Sequence, residues 1–329
     1  MEIYDCKLLF HKLLRRCEKE LAEIRKHYAG EFNLGIIALT TDEQNVAFAS
    51  KVQSLAAKLG INVEEERIAA RNISRKFMPV LRDWSKDDAM HGILLLYEPE
   101  ENMPALSEVF TILPWQKDVF GGHFHNIGHY CIESKPRSDH PQPAEVASVI
   151  EIIKHYQIPV KKKNVVIIGE GRAFEKVLMQ KLCTMGCEVT YRHPEIEPTG
   201  IQPPSMKTAR ARVAPINEKG EIIISCVNRP GYLSRSRLTR NSIVIDNGYN
   251  FFRGRIGGDV DFNSVQNWVK AITPVPGGVK SAAHLVALLN FMRIMKSRYG
   301  LTDEEQKKDQ LTRRFHQADK KLEANRERV

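Results

Sequence analysis

The chain has 329 residues, of which 42% are hydrophobic and 27% charged, with a formal net charge of +9. That length allows two hydrophobic cores, since single domains run to roughly 100–200 residues, and no stretch approaches the ~20 consecutive apolar residues of a bilayer span, which excludes a membrane-spanning reading. The opening residues, MEIYDCKLLFHKLLRRCEKE, mix acids and bases on a helical pattern and lack an apolar signal core. The six cysteines (Cys6, Cys17, Cys131, Cys183, Cys187 and Cys226) show no paired metal-ligand spacing, so reduced thiols in a cytoplasmic protein are expected.

From Cys6 to about His27, Leu8, Leu9, Leu13, Leu14, Leu21 and Ile24 recur at helical spacing and predict an amphipathic helix. LGIIALTT reads as a buried strand, residues from about Glu43 to Leu59 as a helix stopped by Gly60, and INVEEERI and GILLLYE as two further strands. Residues 115–143, rich in Gly, Pro and His, predict a long loop or interdomain connection. Helical periodicity returns over Ala144–Tyr156. NVVIIGEG, a helix to about Met185 and CEVTYRH then make one strand–glycine turn–helix–strand unit, and EIIISCV and SIVIDNG supply two more strands. An apolar helix runs from Ser281 to about Tyr299, and residues 301–329 form a charged tail. The alternation of strands and helices predicts an α/β fold with mostly parallel sheets: an N-terminal α/β domain and a Rossmann-type, doubly wound dinucleotide-binding domain.

Positive charge concentrates between Gly200 and Arg255, where ten lysines and arginines face Glu218, Glu221 and Asp246. Clustered cations neutralise phosphates, but a solvated basic face accounts for this density better, and nucleic acid is the less favoured partner.

Ile168-Gly169-Glu170-Gly171 ends a strand and opens a helix, where backbone N–H groups face a pyrophosphate in dinucleotide-binding folds. Gly169 and Gly171 are therefore candidate cofactor contacts. Glu170 and Glu175 would repel the pyrophosphate, so NADP or NAD is expected to bind weakly. Arg192 and His193, just past the next strand, are candidates for a 2′-phosphate, although solvating a strand end explains them as well. His123, His125 and His129 form a tempting imidazole cluster, but no carboxylate or cysteine is placed to complete a site, and no metal is expected. Cys183 and Cys187 are expected to be ordinary thiols.

Pro274-Val275-Pro276-Gly277-Gly278-Val279 describes a rigid backbone bare of side chains that a flat ligand can approach. Together with Gly258-Asp259-Val260-Asp261-Phe262 and the loop carrying Asp118, Gly121, His123, Asn126 and Gly128, it gives a chain that resembles the bifunctional methylenetetrahydrofolate dehydrogenase/cyclohydrolase family over most of residues 1–300. The resemblance implies an N-terminal folate domain of residues 1–140 plus 281–300, an NAD(P)-binding domain of residues 144–275, and a homodimer. It also implies a cleft lined by Lys51, Leu96, Phe120 and the Pro276-Gly277-Gly278 turn, with a folate-type small molecule as ligand.

In that family a tyrosine and a lysine four residues apart share one helical face, and the lysine assists hydride transfer and ring opening. Here one register keeps Lys51 and puts Ala47 in place of the tyrosine, while the other puts Phe48 and Val52 at the two positions. Leu96 stands where the family has a glutamine, and Phe120 where an aspartate clamps the pterin. These replacements lead to the expectation of a divergent member whose standard activity is lost or altered and which keeps a ligand-binding or scaffolding role. The alternative is an active NAD(P)-dependent 5,10-methylenetetrahydrofolate dehydrogenase and methenyltetrahydrofolate cyclohydrolase with Lys51 as the surviving catalytic residue.

Overall fold

A computed structural model describes residues 1–39, 43–69, 72–97, 103–133, 137, 139–194, 222–252 and 255–302. The charged tail beyond Thr302 and much of the basic stretch, including Lys207, Arg210, Arg212, Lys219 and Arg253, lie outside the described residues. In chain order the elements are β1 (Glu2–Ile3), α1 (Lys7–Arg25), β2 (Asn33–Leu39), α2 (Glu43–Lys58), β3 (Asn62–Ile68), α3 (Met78–Lys86), β4 (Gly92–Leu96), α4 (Leu106–Ile112), α5 (Phe124–Ile132) and α6 (Ala144–His155). The second half contains β5 (Asn164–Gly169), α7 (Ala173–Thr184), β6 (Glu188–Arg192), β7 (Ile222–Cys226), β8 (Ile243–Asp246), β9 (Asn250–Phe252), β10 (Arg255–Gly257), α8 (Phe262–Val265), β11 (Ala271–Ile272) and α9 (Val279–Arg298).

Two parallel sheets carry the architecture. One has three strands in the order β3-β2-β4, the other six in the order β1-β11-β8-β7-β5-β6. Their central strands are runs of Val, Ile and Leu because both faces are covered, as parallel sheets require. Side chains alternate between cores accordingly: Leu34 and Ile36 of β2 and Val165 and Ile167 of β5 enter one common core, while Ile37 and Leu39 face α3 and α4 and Val166 and Ile168 face the outer side of the larger sheet. The common core is filled by α1, α2, α6 and α9, so a single apolar layer joins the two halves. Helix α9 is apolar nearly all round, the pattern of a helix buried on every side, and packs on α1, α2 and α6.

Two features depart from the sequence reading. Residues 2–3 form no part of the three-stranded sheet; as β1 they close the edge of the larger one, with Glu2 opposite Ala271 and Ile3 opposite Ile272. The stretch 115–143, expected as loop, contains helix α5 over Phe124–Ile132. His123 caps that helix by accepting the His125 N–H at Nδ1 (3.0 Å), which replaces the usual Ser, Asp or Asn signal.

Asn290 on α9 ties this stretch to the core. Its amide donates to the Val119 carbonyl (2.9 Å) and the Gln142 carbonyl (2.7 Å), and its oxygen accepts from Gln142 N–H (2.9 Å) and the Arg293 guanidinium (2.7 Å). Gly121, at φ 77°, lets the turn press against Gln142; a Cβ there would fall on the Gln142 carbonyl. Replacing Asn290 by leucine keeps the volume but strands these buried groups, each worth ~1–3 kcal/mol. Asn290→Leu is expected to lower the unfolding free energy in urea by roughly 3–5 kcal/mol; a loss below ~1 kcal/mol would show that the clamp contributes little.

Candidate functional site

Helix α2 sets the first wall of a cleft between the two sheets. Phe48, Ala49 and Val52 turn into the common core, while Ala47 and exposed Lys51, one helical turn apart, line a lobe of about 250 Å³ opposite Pro276, Gly277 and Gly278. Of the two pairs considered, Ala47 and Lys51 face the cleft, while Phe48 and Val52 are buried in the core. Gly277 sits at φ 112°, a conformation that a side chain would strain.

Two buried carboxylates hold the turn in place. Asp246 accepts backbone N–H bonds from Gly248 (2.9 Å), Asp259 (3.0 Å) and Val260 (3.0 Å), and its own N–H donates to Thr273 Oγ1 (2.8 Å) just before the turn. Asp259 accepts from Ser225 Oγ (2.7 Å) and from the N–H groups of Val227 (2.7 Å) and Arg229 (2.9 Å). Burial, together with the neighbouring Asp259 charge, pushes the Asp246 carboxyl up to about 7. The two glycine–aspartate motifs thus act as a scaffold beneath the Pro-Gly-Gly turn.

A second lobe of about 400 Å³ contains Leu96 and Phe120. It shares Tyr249, Lys280 and His284 with the first, so the expected pocket residues line one cleft in two adjoining parts. Asp118 lies behind its wall as a structural group, accepting from Gly121 N–H (3.0 Å), His123 N–H (2.7 Å) and Asn126 Nδ2 (3.0 Å). The Phe120 ring packs edge-on against Phe48 with centroids 6.0 Å apart, and Phe48 lies 4.4 Å from the His284 ring. Lys280 and His284 were not singled out from the sequence, although their spacing of four at the start of α9 puts them on one face. Lys280 forms an ion pair with Glu145.

The glycine turn closes the far side of the larger lobe, where Arg172, Ala173, Phe174 and Glu175 are wall residues; Gly169, Gly171, Arg192 and His193 are not. Arg192 ends β6 in register with Ile168. The repulsion expected from the two glutamates finds no support. Glu170 is paired with Arg172 (3.2 Å) and Arg229 (3.1 Å). Glu175 is folded inward, with Oε1 accepting the Glu170 N–H at 3.1 Å, and burial raises its pKa, which favours the uncharged form.

Of the expected histidine cluster, His125 and His129 stay together, but His123 turns away to contact the Phe110 carbonyl with Nε2 (3.2 Å). Cys183 and Cys187 are free thiols. In the described part of the basic stretch, Arg235 and Arg240 lie over the Trp268 ring at 4.0 and 4.5 Å.

Burial, helped by the Lys280 and Lys51 charges, pushes His284 down to about 3, so its ring is neutral at physiological pH. An unfolded histidine titrates near 6.5, so below that pH the unfolded state takes up the extra proton. The stability contributed by the neutral ring is full above pH ~6.5 and falls as pH drops toward 3, by at most ~1.4 kcal/mol per unit. Between pH 7 and 5.5 the wild type is expected to lose about 1 kcal/mol more than His284→Phe in urea unfolding; equal losses would show that the half-buried ring protonates freely.

Comparison with known proteins agrees with this geometry. Residues 143–299 match the family model for the tetrahydrofolate dehydrogenase/cyclohydrolase NAD(P)-binding domain. The bifunctional protein FolD of Dictyoglomus turgidum is 27% identical over 284 residues, covering 85% of this chain and 94% of that protein. Among solved structures, the Campylobacter jejuni FolD methylenetetrahydrofolate dehydrogenase/cyclohydrolase superposes with a TM-score of 0.72 at 23% identity, covering 91% of this chain and 99% of the other. The Trypanosoma brucei FolD, solved with NADP and an inhibitor, gives 0.75 at 19% identity, covering 91% and 98%. Among the described residues no helix is long and apolar enough to cross a membrane. With its paired parallel sheets, the cleft between them and a second half that matches the family model of the NAD(P)-binding domain, the chain is similar to the methylenetetrahydrofolate dehydrogenase/cyclohydrolase family.

Proposed function

We propose that the protein is an NAD(P)-dependent 5,10-methylenetetrahydrofolate dehydrogenase and methenyltetrahydrofolate cyclohydrolase. The observation that carries this reading is the placement of Lys51 on the cleft wall opposite the Pro276-Gly277-Gly278 turn, with the cleft continuing to the helix that follows the glycine turn. The reading takes residues 1–140 plus 281–300 as the folate half and 144–275 as the cofactor half, in a cytoplasmic homodimer.

A bound NAD(P) would take up the hydride that leaves the methylene carbon. The turn and helix around Gly169 and Gly171 suit its pyrophosphate, because Glu170 is ion-paired with Arg172 and Arg229 and Glu175 is folded inward onto the Glu170 N–H. Lys51 is the group to assist hydride transfer and then the addition of water to the methenyl carbon. The lobe floored by Leu96, Phe48 and Phe120 offers apolar contact to a flat ring where relatives of the family use hydrogen bonds. Tyr249, Lys280 and neutral His284 bring polar groups to the same cleft from other positions.

A second reading, a member with lost or altered activity that binds a ligand or acts as a scaffold, is favoured by Ala47, Leu96 and Phe120. These remove a hydroxyl, an amide and a carboxylate from the pocket. Turnover assays separate the two. With NAD or NADP, the purified protein is expected to form the methenyl product, and Lys51→Ala to lower kcat by ~10²-fold or more, with little change in dinucleotide binding by calorimetry. Dinucleotide binding without turnover would sink the first reading in favour of altered chemistry, and absence of both would favour a scaffold.

A further inference from the structure

Away from the cleft, the structure gathers three imidazoles that the sequence does not group. His125 and His129 are one turn apart on α5, and His140 joins them from the segment leading into α6. One ring nitrogen of each lies within 4.8 Å of the other two. His140 is buried at 7% exposure.

We propose that His125, His129 and His140 form a binding site for a divalent transition-metal ion of the zinc type. Imidazole is a ligand for zinc, copper, nickel and iron, and three histidines with a fourth position open to water is an established zinc arrangement. Metal-ligating histidines characteristically give their second nitrogen to a carboxylate or carbonyl, which fixes the tautomer and makes the ring a better ligand. Two of these three have such a partner. His140 Nδ1 meets Asp139 Oδ1 at 3.0 Å and His129 Nδ1 meets Glu133 Oε1 at 3.3 Å, which leaves Nε2 of each ring to bind the ion.

Asp139 is itself held by Arg137 through Nε (3.0 Å) and Nη2 (2.9 Å). Trp115 orients His125, the third, together with His140, stacking on them at 4.3 and 4.8 Å between ring centroids. A tetrahedral zinc with bonds of ~2.0–2.1 Å needs ligand nitrogens about 3.4 Å apart, so the rings must draw together by roughly an ångström, a shift within side-chain rotation. The bound ion would fasten the interdomain segment at Asp139–His140 to α5.

The test uses untagged, chelator-stripped full-length protein titrated with zinc at neutral pH against a chromophoric chelator. One equivalent per chain is expected to bind, His129→Ala/His140→Ala to abolish that binding, and Asp139→Asn to weaken it by ~10–100-fold. Circular dichroism shows whether each variant is folded. Cobalt loading of the unaltered protein gives a readout independent of the variants: strong visible bands of a tetrahedral, nitrogen-ligated ion support the site. Absence of stoichiometric zinc binding, weak octahedral cobalt bands, thiolate-to-metal bands that implicate cysteine, or unchanged binding in a folded double variant would each overturn it.

Discussion

The saturated amide of Asn290 is the constraint on which the cleft depends. It sits on the helix that fills the shared core and spends its hydrogen-bonding capacity on Val119, Gln142 and Arg293. Those contacts fasten the Asp118 turn and the segment at Gln142, just ahead of α6, to α9. The turn then presents Phe120 to the cleft, the segment launches α6, and α9 itself delivers Lys280 and His284. A side chain that lines neither lobe of the cleft thus ties together the elements that form its walls. The low polarity around it makes the arrangement cooperative, since losing one partner leaves the others buried and unpaired.

The site shows a division of labour between backbone and side chains. The Pro-Gly-Gly turn and the glycine turn are held by carboxylates that serve the fold: Asp246 and Asp259 under the first, Glu175 within the second. What lies over this frame is a mixture of apolar rings and displaced polar groups. A frame fixed by main-chain hydrogen bonds tolerates such exchange, because changing Phe120 or Leu96 breaks none of the bonds that position the turns. Such a frame holds the cleft open whichever side chains line it.

The sequence made legible the features that depend on local backbone demands. The glycine turn, the Pro-Gly-Gly motif, the buried strands and the boundaries of α2, α6 and α7 follow from φ requirements, periodicity and stop signals within a few residues. The two-residue strands β1 and β11 carry no periodicity and exist only by pairing with distant partners. Helix α5 was hidden by Gly128 and three histidines, residues that read as loop until His123 is seen capping it. The charges of Glu170 and Glu175 were legible but their fate was not, because Arg229 arrives from 59 residues away and burial of Glu175 is a tertiary property. His140 joined the other imidazoles for the same reason: proximity came from Trp115 and the return of the chain, and no spacing rule records it.

The pairing of Glu2–Ile3 with Ala271–Ile272 ties the start of the chain into the sheet of its second half. The first residues of the chain supply the last strand of the larger sheet, so that sheet is incomplete until nearly the whole polypeptide exists. A fragment holding only the second half would carry β11 as a bare edge, with unpaired main-chain groups available to another molecule. The outer seam of the larger sheet is thus a contact across nearly the whole described sequence, the kind of long-range pairing whose loop-closure entropy must be met before it forms.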